Sequence, residues 1–193
     1  MALENLILSS SIEDCKNKGL IIEAVSENYE IKSKIFKELD SICSPETILS
    51  SNTSSISISS LSKNLMRKDK VIGMHFMNPV PIMKLVEVIN TESTSHETTS
   101  AVVEITKRLD KIPIECNDFP GFVSNRLLMP MINEAILCVE QQVATIDAID
   151  QIMKLGMAHP MGPLRLADLI GLDVCLDIMN VLYSSFKEGK YKP

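Results

Sequence analysis

The 193-residue sequence has no tryptophan, three tyrosines and five phenylalanines, and no apolar run approaches the roughly 18 residues of a membrane-crossing helix. Bases would find few aromatic faces to stack on. Lys and Arg are scattered against a formal net charge of -6, so the electrostatic footprint of a nucleic-acid binder is missing as well. The seven glycines include no G-x-G pair, which excludes a Gly-rich dinucleotide turn or a P-loop from these residues. Cysteine is sparse and odd in number: Cys15, Cys43, Cys116, Cys138 and Cys175 form no C-x-x-C pair. Reduced, buried thiols in a cytosolic setting fit that pattern better than a disulfide framework. No His, Cys, Asp or Glu pair has metal-ligand spacing, so no metal is expected. The first five residues, Met-Ala-Leu-Glu-Asn, lack the basic start and apolar stretch of a secretory signal. What is present is 45% hydrophobic and 23% charged, enough apolar content for one substantial core and the start of a second.

Over the first 116 residues, short β-branched runs alternate with helical patterns, as in sheets built from crossover units. Strands are expected at Leu20 to Val25, Thr47 to Ser51, Lys70 to Phe76, Lys84 to Ile89 and Ile112 to Cys116, and Leu6-Ile7-Leu8 has the composition of a further one. A helix from about Tyr29 to Ile42 should bury Ile31, Ile35, Leu39 and Ile42. A short helix follows Ser57, and another runs from Ser95 to Leu109. After Asn117-Asp118-Phe119-Pro120-Gly121 every segment has helical period: the stripe Leu128 to Val139, a helix capped by Thr145 and stopped at Gly156, and a stretch from Pro163 to Phe186 broken at Gly171. The boundary is expected near residue 118, with an α/β part over 1–118 and an all-α part over 119–193.

Three histidines are few enough to weigh singly. His75 ends a strand pattern and Glu87 follows in the next β-like run. If the runs lie side by side, the carboxylate fixes the imidazole tautomer and leaves the other ring nitrogen as a base; otherwise both are ordinary structural or solvated groups. His159 sits in a Pro-bounded link, and His96 reads as a surface residue opening a helix. The run Ser50 to Ser55 follows a strand, where open α/β sheets gather ligands, yet it equally supplies an N-cap for the next helix.

Together, Ile22-Glu23-Ala24-Val25-Ser26-Glu27-Asn28, Ser51-Asn52-Thr53-Ser54-Ser55, Gly73-Met74-His75-Phe76-Met77-Asn78-Pro79 with Lys84-Leu85-Val86-Glu87-Val88, Pro120-Gly121-Phe122-Val123-Ser124-Asn125-Arg126, and His159-Pro160-Met161-Gly162-Pro163 with Asp168 to Asp173 resemble the L-3-hydroxyacyl-CoA dehydrogenase family, in particular its bacterial 3-hydroxybutyryl-CoA dehydrogenases. The resemblance implies a partial Rossmann-type, mostly parallel sheet followed by an all-α domain. It implies NAD-dependent oxidation of an L-3-hydroxyacyl-CoA to the 3-ketoacyl-CoA, or the reverse, with His75 as general base, Glu87 as its partner, and Ser54 and Asn125 holding the substrate oxygen. Cofactor contacts would fall on Ala24, Glu27, Lys32, Asn52 and Asn78, and the helical domain would form a homodimer.

Family members open with a Gly-rich strand, turn and helix, and with an acidic residue for the ribose hydroxyls; neither is found here. The expectation is a fragment of such an enzyme whose pyrophosphate cradle is missing. Little activity is then expected from these residues by themselves. The alternative is a short product acting as a binding or structural module.

Overall fold

The computed structural model describes residues 5–193 and divides into two compact units, residues 1–118 and residues 119–193. The first holds a five-stranded sheet of β1 (Leu20–Glu23), β2 (Ile48–Ser51), β3 (Val71–Phe76), β4 (Leu85–Asn90) and β5 (Ile112–Asn117), lying side by side in that order. Helix α1 (Tyr29–Ile42) connects β1 to β2, α2 (Ile58–Ser62) precedes β3, and α3 (His96–Arg108) connects β4 to β5; these three pairs of neighbouring strands run parallel. Only β3 and β4 are antiparallel.

Leu6, Ile7 and Leu8 form no strand. A strand persists by pairing with a neighbour, and these residues pair with none; Ile7 is 86% and Leu8 87% exposed. The chain turns instead into a 3-10 segment, Ile12–Cys15, capped by Ser11.

Alternation along the strands sorts side chains to two faces. Ile48, Ile72, Met74, Val86 and Val88 pack with Val102 of α3 into a dry core. Their strand neighbours, including His75 and Glu87, therefore point to the opposite face. On that face α2 comes close to β3 over Gly73, where a Cβ would lie 2.8 Å from Ile89 and 3.1 Å from Ile58. Any larger residue would push apart the layers two positions from His75.

Asn28 starts α1, its Oδ1 accepting from the Ile31 amide at 3.0 Å. The buried face of this helix is Lys32, Phe36, Leu39 and Asp40, offset from the expected stripe, and Ile31 is 44% exposed. Burial of the two charged residues is possible because each is paired: Lys32 with Glu23 at 2.8 Å, and Asp40 with Arg67 at 2.8 Å.

The second unit contains α4 (Ser124–Glu140), α5 (Ile146–Gly156), α6 (Pro163–Ile170) and α7 (Leu172–Phe186). Thr145 caps α5 through the Ala148 amide, and Gly171, at φ +102, separates α6 from α7 in a conformation that side chains resist. Met129, Ile132, Ala167, Cys175, Ile178, Met179 and Leu182 form its core. Tyr191 joins them near the end of the described chain, stacked on Phe186 at 4.8 Å between ring centroids.

Candidate active site

The antiparallel register of β3 and β4 sets His75 directly opposite Glu87. His75 Nδ1 lies 2.8 Å from Glu87 Oε2, and both side chains are more than nine-tenths buried. A carboxylate only accepts, so Nδ1 carries the proton and donates it. On a neutral ring that leaves the lone pair on Nε2, which lies 3.1 Å from Ser54 Oγ. The arrangement has the parts of a proton-transfer site: a base nitrogen, a hydroxyl beside it, and a buried anion that stabilises the imidazolium once formed.

Ser54 lies beyond the end of β2, in a segment tied down on several sides. The Asn52 amide donates to the Glu23 carbonyl at 2.8 Å, while Asn52 Oδ1 accepts from the Phe76 amide at 2.9 Å, so the segment is pinned beside His75. Glu27 Oε1 accepts from Thr53 Oγ1 at 2.6 Å, Ser54 N at 3.0 Å, Ser55 N at 2.9 Å and Ser55 Oγ at 2.9 Å. Burial pushes the Glu27 carboxyl up, but the bonds from Thr53 and Ser55 and the charge of Lys32 outweigh it and hold it below the ordinary glutamate value. Asp118, just past β5, fixes the start of α2 by accepting from Ser57 Oγ, Ile58 N and Ser59 N at 2.8, 3.1 and 2.7 Å. Ser57 also caps that helix, accepting from Ser60 N.

The residues expected at the cofactor divide into two groups. Ala24, Glu27, Asn52 and Asn78 stand at or beyond the C-terminal ends of β1, β2 and β3, where Ala24, Glu27 and Asn78 are exposed and Asn52 half-buried. Lys32 does not share that exposure. It is 1% exposed, and its Nζ meets Glu23 Oε1 at 2.8 Å, the Val25 carbonyl at 3.0 Å and Glu27 Oε2 at 3.4 Å. Asn125 belongs to the second unit, in the first turn of α4, where it is buried and its amide donates to the Gly121 carbonyl at 3.1 Å.

Glu23 and Asp118 were given no role by sequence reasoning, and Thr53 and Ser55 entered it only as members of the run Ser50 to Ser55. Glu23 carried a signal, being a charge inside an otherwise apolar strand pattern. Ser51 Oγ donates to its Oε2 at 2.6 Å and the Val25 amide to its Oε1 at 2.6 Å. The negative field around Glu87 also reaches Cys116, two residues along β5 from the partner of Glu87. Burial first, then the charges of Glu87 and Asp118, push that thiol up to about 11.

Residues 1–119 match the family described as 3-hydroxyacyl-CoA dehydrogenase, NAD binding domain, and residues 121–193 the 3-hydroxyacyl-CoA dehydrogenase, C-terminal domain. The chain is 54% identical to a probable 3-hydroxybutyryl-CoA dehydrogenase of Bacillus subtilis, over 99% of this chain and 67% of that protein. It is 48% identical to human mitochondrial hydroxyacyl-coenzyme A dehydrogenase, over 83% of this chain and 51% of that protein. Among solved structures, the (S)-3-hydroxybutyryl-CoA dehydrogenase PaaH1 from Ralstonia eutropha superposes with a TM-score of 0.92 at 50% identity, over 96% of this chain and 65% of that one. FadB2 of M. tuberculosis gives a TM-score of 0.96 at 40% identity, over 100% of this chain and 68% of that one. The chain thus spans about two thirds of the length of these bacterial relatives.

Proposed function

The chain belongs to the 3-hydroxyacyl-CoA dehydrogenase family, and from that premise we propose that it interconverts an L-3-hydroxyacyl-CoA and the 3-ketoacyl-CoA, with 3-hydroxybutyryl-CoA as the substrate its relatives' names indicate. The observation that carries this reading is the buried His75–Glu87 pair at 2.8 Å with Ser54 Oγ at 3.1 Å from the opposite ring nitrogen. In the oxidation, His75 Nε2 takes the proton of the substrate 3-hydroxyl, and Glu87, already bonded at Nδ1, balances the positive charge that appears on the ring. Ser54 Oγ keeps the substrate oxygen beside Nε2, and Asn125 has the same task by its family position. In the reduction, the imidazolium returns the proton to the forming alkoxide, so the proton His75 gains in one direction is the one it gives up in the other.

The residues at the strand ends fit the reacting end of NAD: an exposed Ala24, which lets a flat ring come close, and the amides of Asn52 and Asn78 for polar recognition. Among these 193 residues no G-x-G turn is present to meet the pyrophosphate. When bound beside these residues, the nicotinamide would supply the hydride chemistry at the substrate C3, as acceptor in its oxidised form and as donor in its reduced form.

Five free cysteines, two of them buried, support a reducing compartment, the cytoplasm. Among the described residues no helix is long and apolar enough to cross a membrane. Leu172 and Leu176 of α7, 56% and 49% exposed, support self-association through the helical unit, which sedimentation tests; a strictly monomeric species at high concentration would refute it. The test of the function is the loss of NADH absorbance with acetoacetyl-CoA, measured in the chain joined to the Gly-rich opening segment of a family member, because these residues by themselves are expected to turn over little. His75→Ala should slow it by about 100- to 10,000-fold, and an undiminished rate would overturn the assignment.

A further inference from the structure

We propose that Glu27, braced by Lys32, is a positioning residue for Ser54: it holds the segment 53–55 so that Ser54 Oγ stays within reach of His75 Nε2. The inference rests on the reading of Ser54 and His75 above, and it gives Glu27 and Lys32 a task distinct from contact with the cofactor.

All four donors on Glu27 Oε1 come from three consecutive residues, Thr53, Ser54 and Ser55. A carboxylate oxygen has about two lone-pair sites, so this one is already filled. Two of the donors are the successive amides of Ser54 and Ser55, at 3.0 and 2.9 Å, and holding both fixes the direction of the backbone from which Ser54 Oγ projects. An anion binds such a pair of N–H groups more strongly than a neutral acceptor does.

Glu27 is itself held from behind. Its other oxygen faces Lys32 Nζ at 3.4 Å, and that ammonium is anchored to Glu23, whose second oxygen takes the Ser51 hydroxyl at 2.6 Å. Two carboxylates and one ammonium thus tie the ends of β1 and β2 to the Ser54 segment, and hydroxyl and amide donors absorb the remaining negative charge. Lys32 Nζ is buried and donates two hydrogen bonds, to Glu23 Oε1 and the Val25 carbonyl, with Glu27 Oε2 in ion-pair range at 3.4 Å.

Glu27→Ala, Glu27→Gln, Ser54→Ala and the double variant Glu27→Ala/Ser54→Ala test the proposal: turnover of acetoacetyl-CoA and NADH affinity by fluorescence are read in the chain joined to a family member's Gly-rich opening segment, and the ring 15N spectrum of His75 without ligand in the 193 residues alone. Glu27→Ala should lower kcat by about 10- to 100-fold, as expected for a displaced reacting group. It should leave NADH affinity within about twofold, and Glu27→Gln, which keeps the acceptor oxygen, should recover most of the rate. The double variant should be no slower than Ser54→Ala, because both substitutions remove one interaction. Glu27→Ala should also move the His75 ring resonances as Ser54→Ala does. Weakened NADH binding with kcat unchanged at saturating cofactor, or losses that simply add, would overturn the proposal in favour of cofactor contact. If Glu27→Ala fails to fold, Thr53→Val/Ser55→Ala removes two donors and keeps the charge, and the same signs apply. Wild-type rates for Ser54→Ala and His75→Ala would instead overturn the assigned chemistry, and the ring spectrum would then decide the positioning question by itself.

Discussion

Replacing Glu87 with Gln removes one charge while nearly preserving shape, which isolates what the carboxylate does for His75. In proton transfer the ring becomes an imidazolium whose charge centre lies about 4 Å from that of the carboxylate. At an effective dielectric near 20 two such charges attract by about 4 kcal/mol, against about 1 kcal/mol in water. The pair is more than nine-tenths buried and in contact at 2.8 Å, so the larger figure is the better guide. Gln keeps part of the bond, because its carbonyl still accepts from Nδ1–H; its amide group, turned the other way, would impose the wrong tautomer. A net loss of about 2 to 4 kcal/mol in the transition state follows, which is about 30- to 1,000-fold in rate.

The assay is the initial rate of acetoacetyl-CoA reduction by NADH in the chain joined to a family member's Gly-rich opening segment, with NADH affinity measured separately. The charge matters only once the imidazolium is involved, so kcat should fall with little change in KM. Glu87→Asp, which keeps the charge but withdraws it by one methylene, should lie between wild type and Gln. Rates within about threefold of wild type for both variants, each folded by circular dichroism, would refute the reasoning, because an attraction of this size would then be absent.

Cys116, its thiol pushed up to about 11, should resist alkylation at pH 8 in the folded protein, and Glu87→Gln should speed its modification near pH 9 by removing one of the charges responsible; mass spectrometry after brief iodoacetamide treatment reads both. Glu27 has a folded-state value held below 4.5, so its contribution to stability is complete above that pH and is lost as pH falls through the lower folded value. Urea melts from pH 6 down to pH 3 should show an acid loss that is smaller in Glu27→Gln, and identical slopes would refute it. Lys32→Met strands the carboxylate of Glu23, 1% exposed, which typically costs about 3 to 5 kcal/mol, and Glu23→Gln in the same chain should recover much of the loss. An unchanged urea midpoint for the single variant would contradict the buried ion pair.

Much of the fold was readable because strand and helix periods differ and because the chain changes from one to the other near Asp118. The antiparallel step between β3 and β4 was not anticipated, although the connection carries its signal. Eight residues separate Phe76 from Leu85, including Pro79 and Pro81, and a parallel return needs a crossover of roughly a dozen residues or more. That shortness puts His75 and Glu87 on neighbouring strands, while it is the register, fixed by the connection, that sets them opposite one another on one face. Leu6–Leu8 misled because composition says nothing about whether a sheet edge is available to pair with.

The buried face of α1 marks where pattern reading ends. Apolarity selects Ile31, Ile35, Leu39 and Ile42, whereas the helix turns Lys32 and Asp40 inward, because Glu23 and Arg67 lie where their charges are met. Periodicity counts a buried Lys as an error unless the partner is already known, and the partners lie nine and twenty-seven residues away. The same blindness concealed the work of Glu27. An acidic residue before a capping Asn reads as helix-start chemistry, and its four bonds to residues 53–55 exist only because parallel pairing brings the ends of β1 and β2 together. Candidates for acting on substrate are proposed by type and motif, while residues that hold such candidates in place are chosen by contacts across the sheet. Substitutions at Glu23, Lys32 and Glu27 should therefore affect the Ser54 segment as one group, with effects that fail to add.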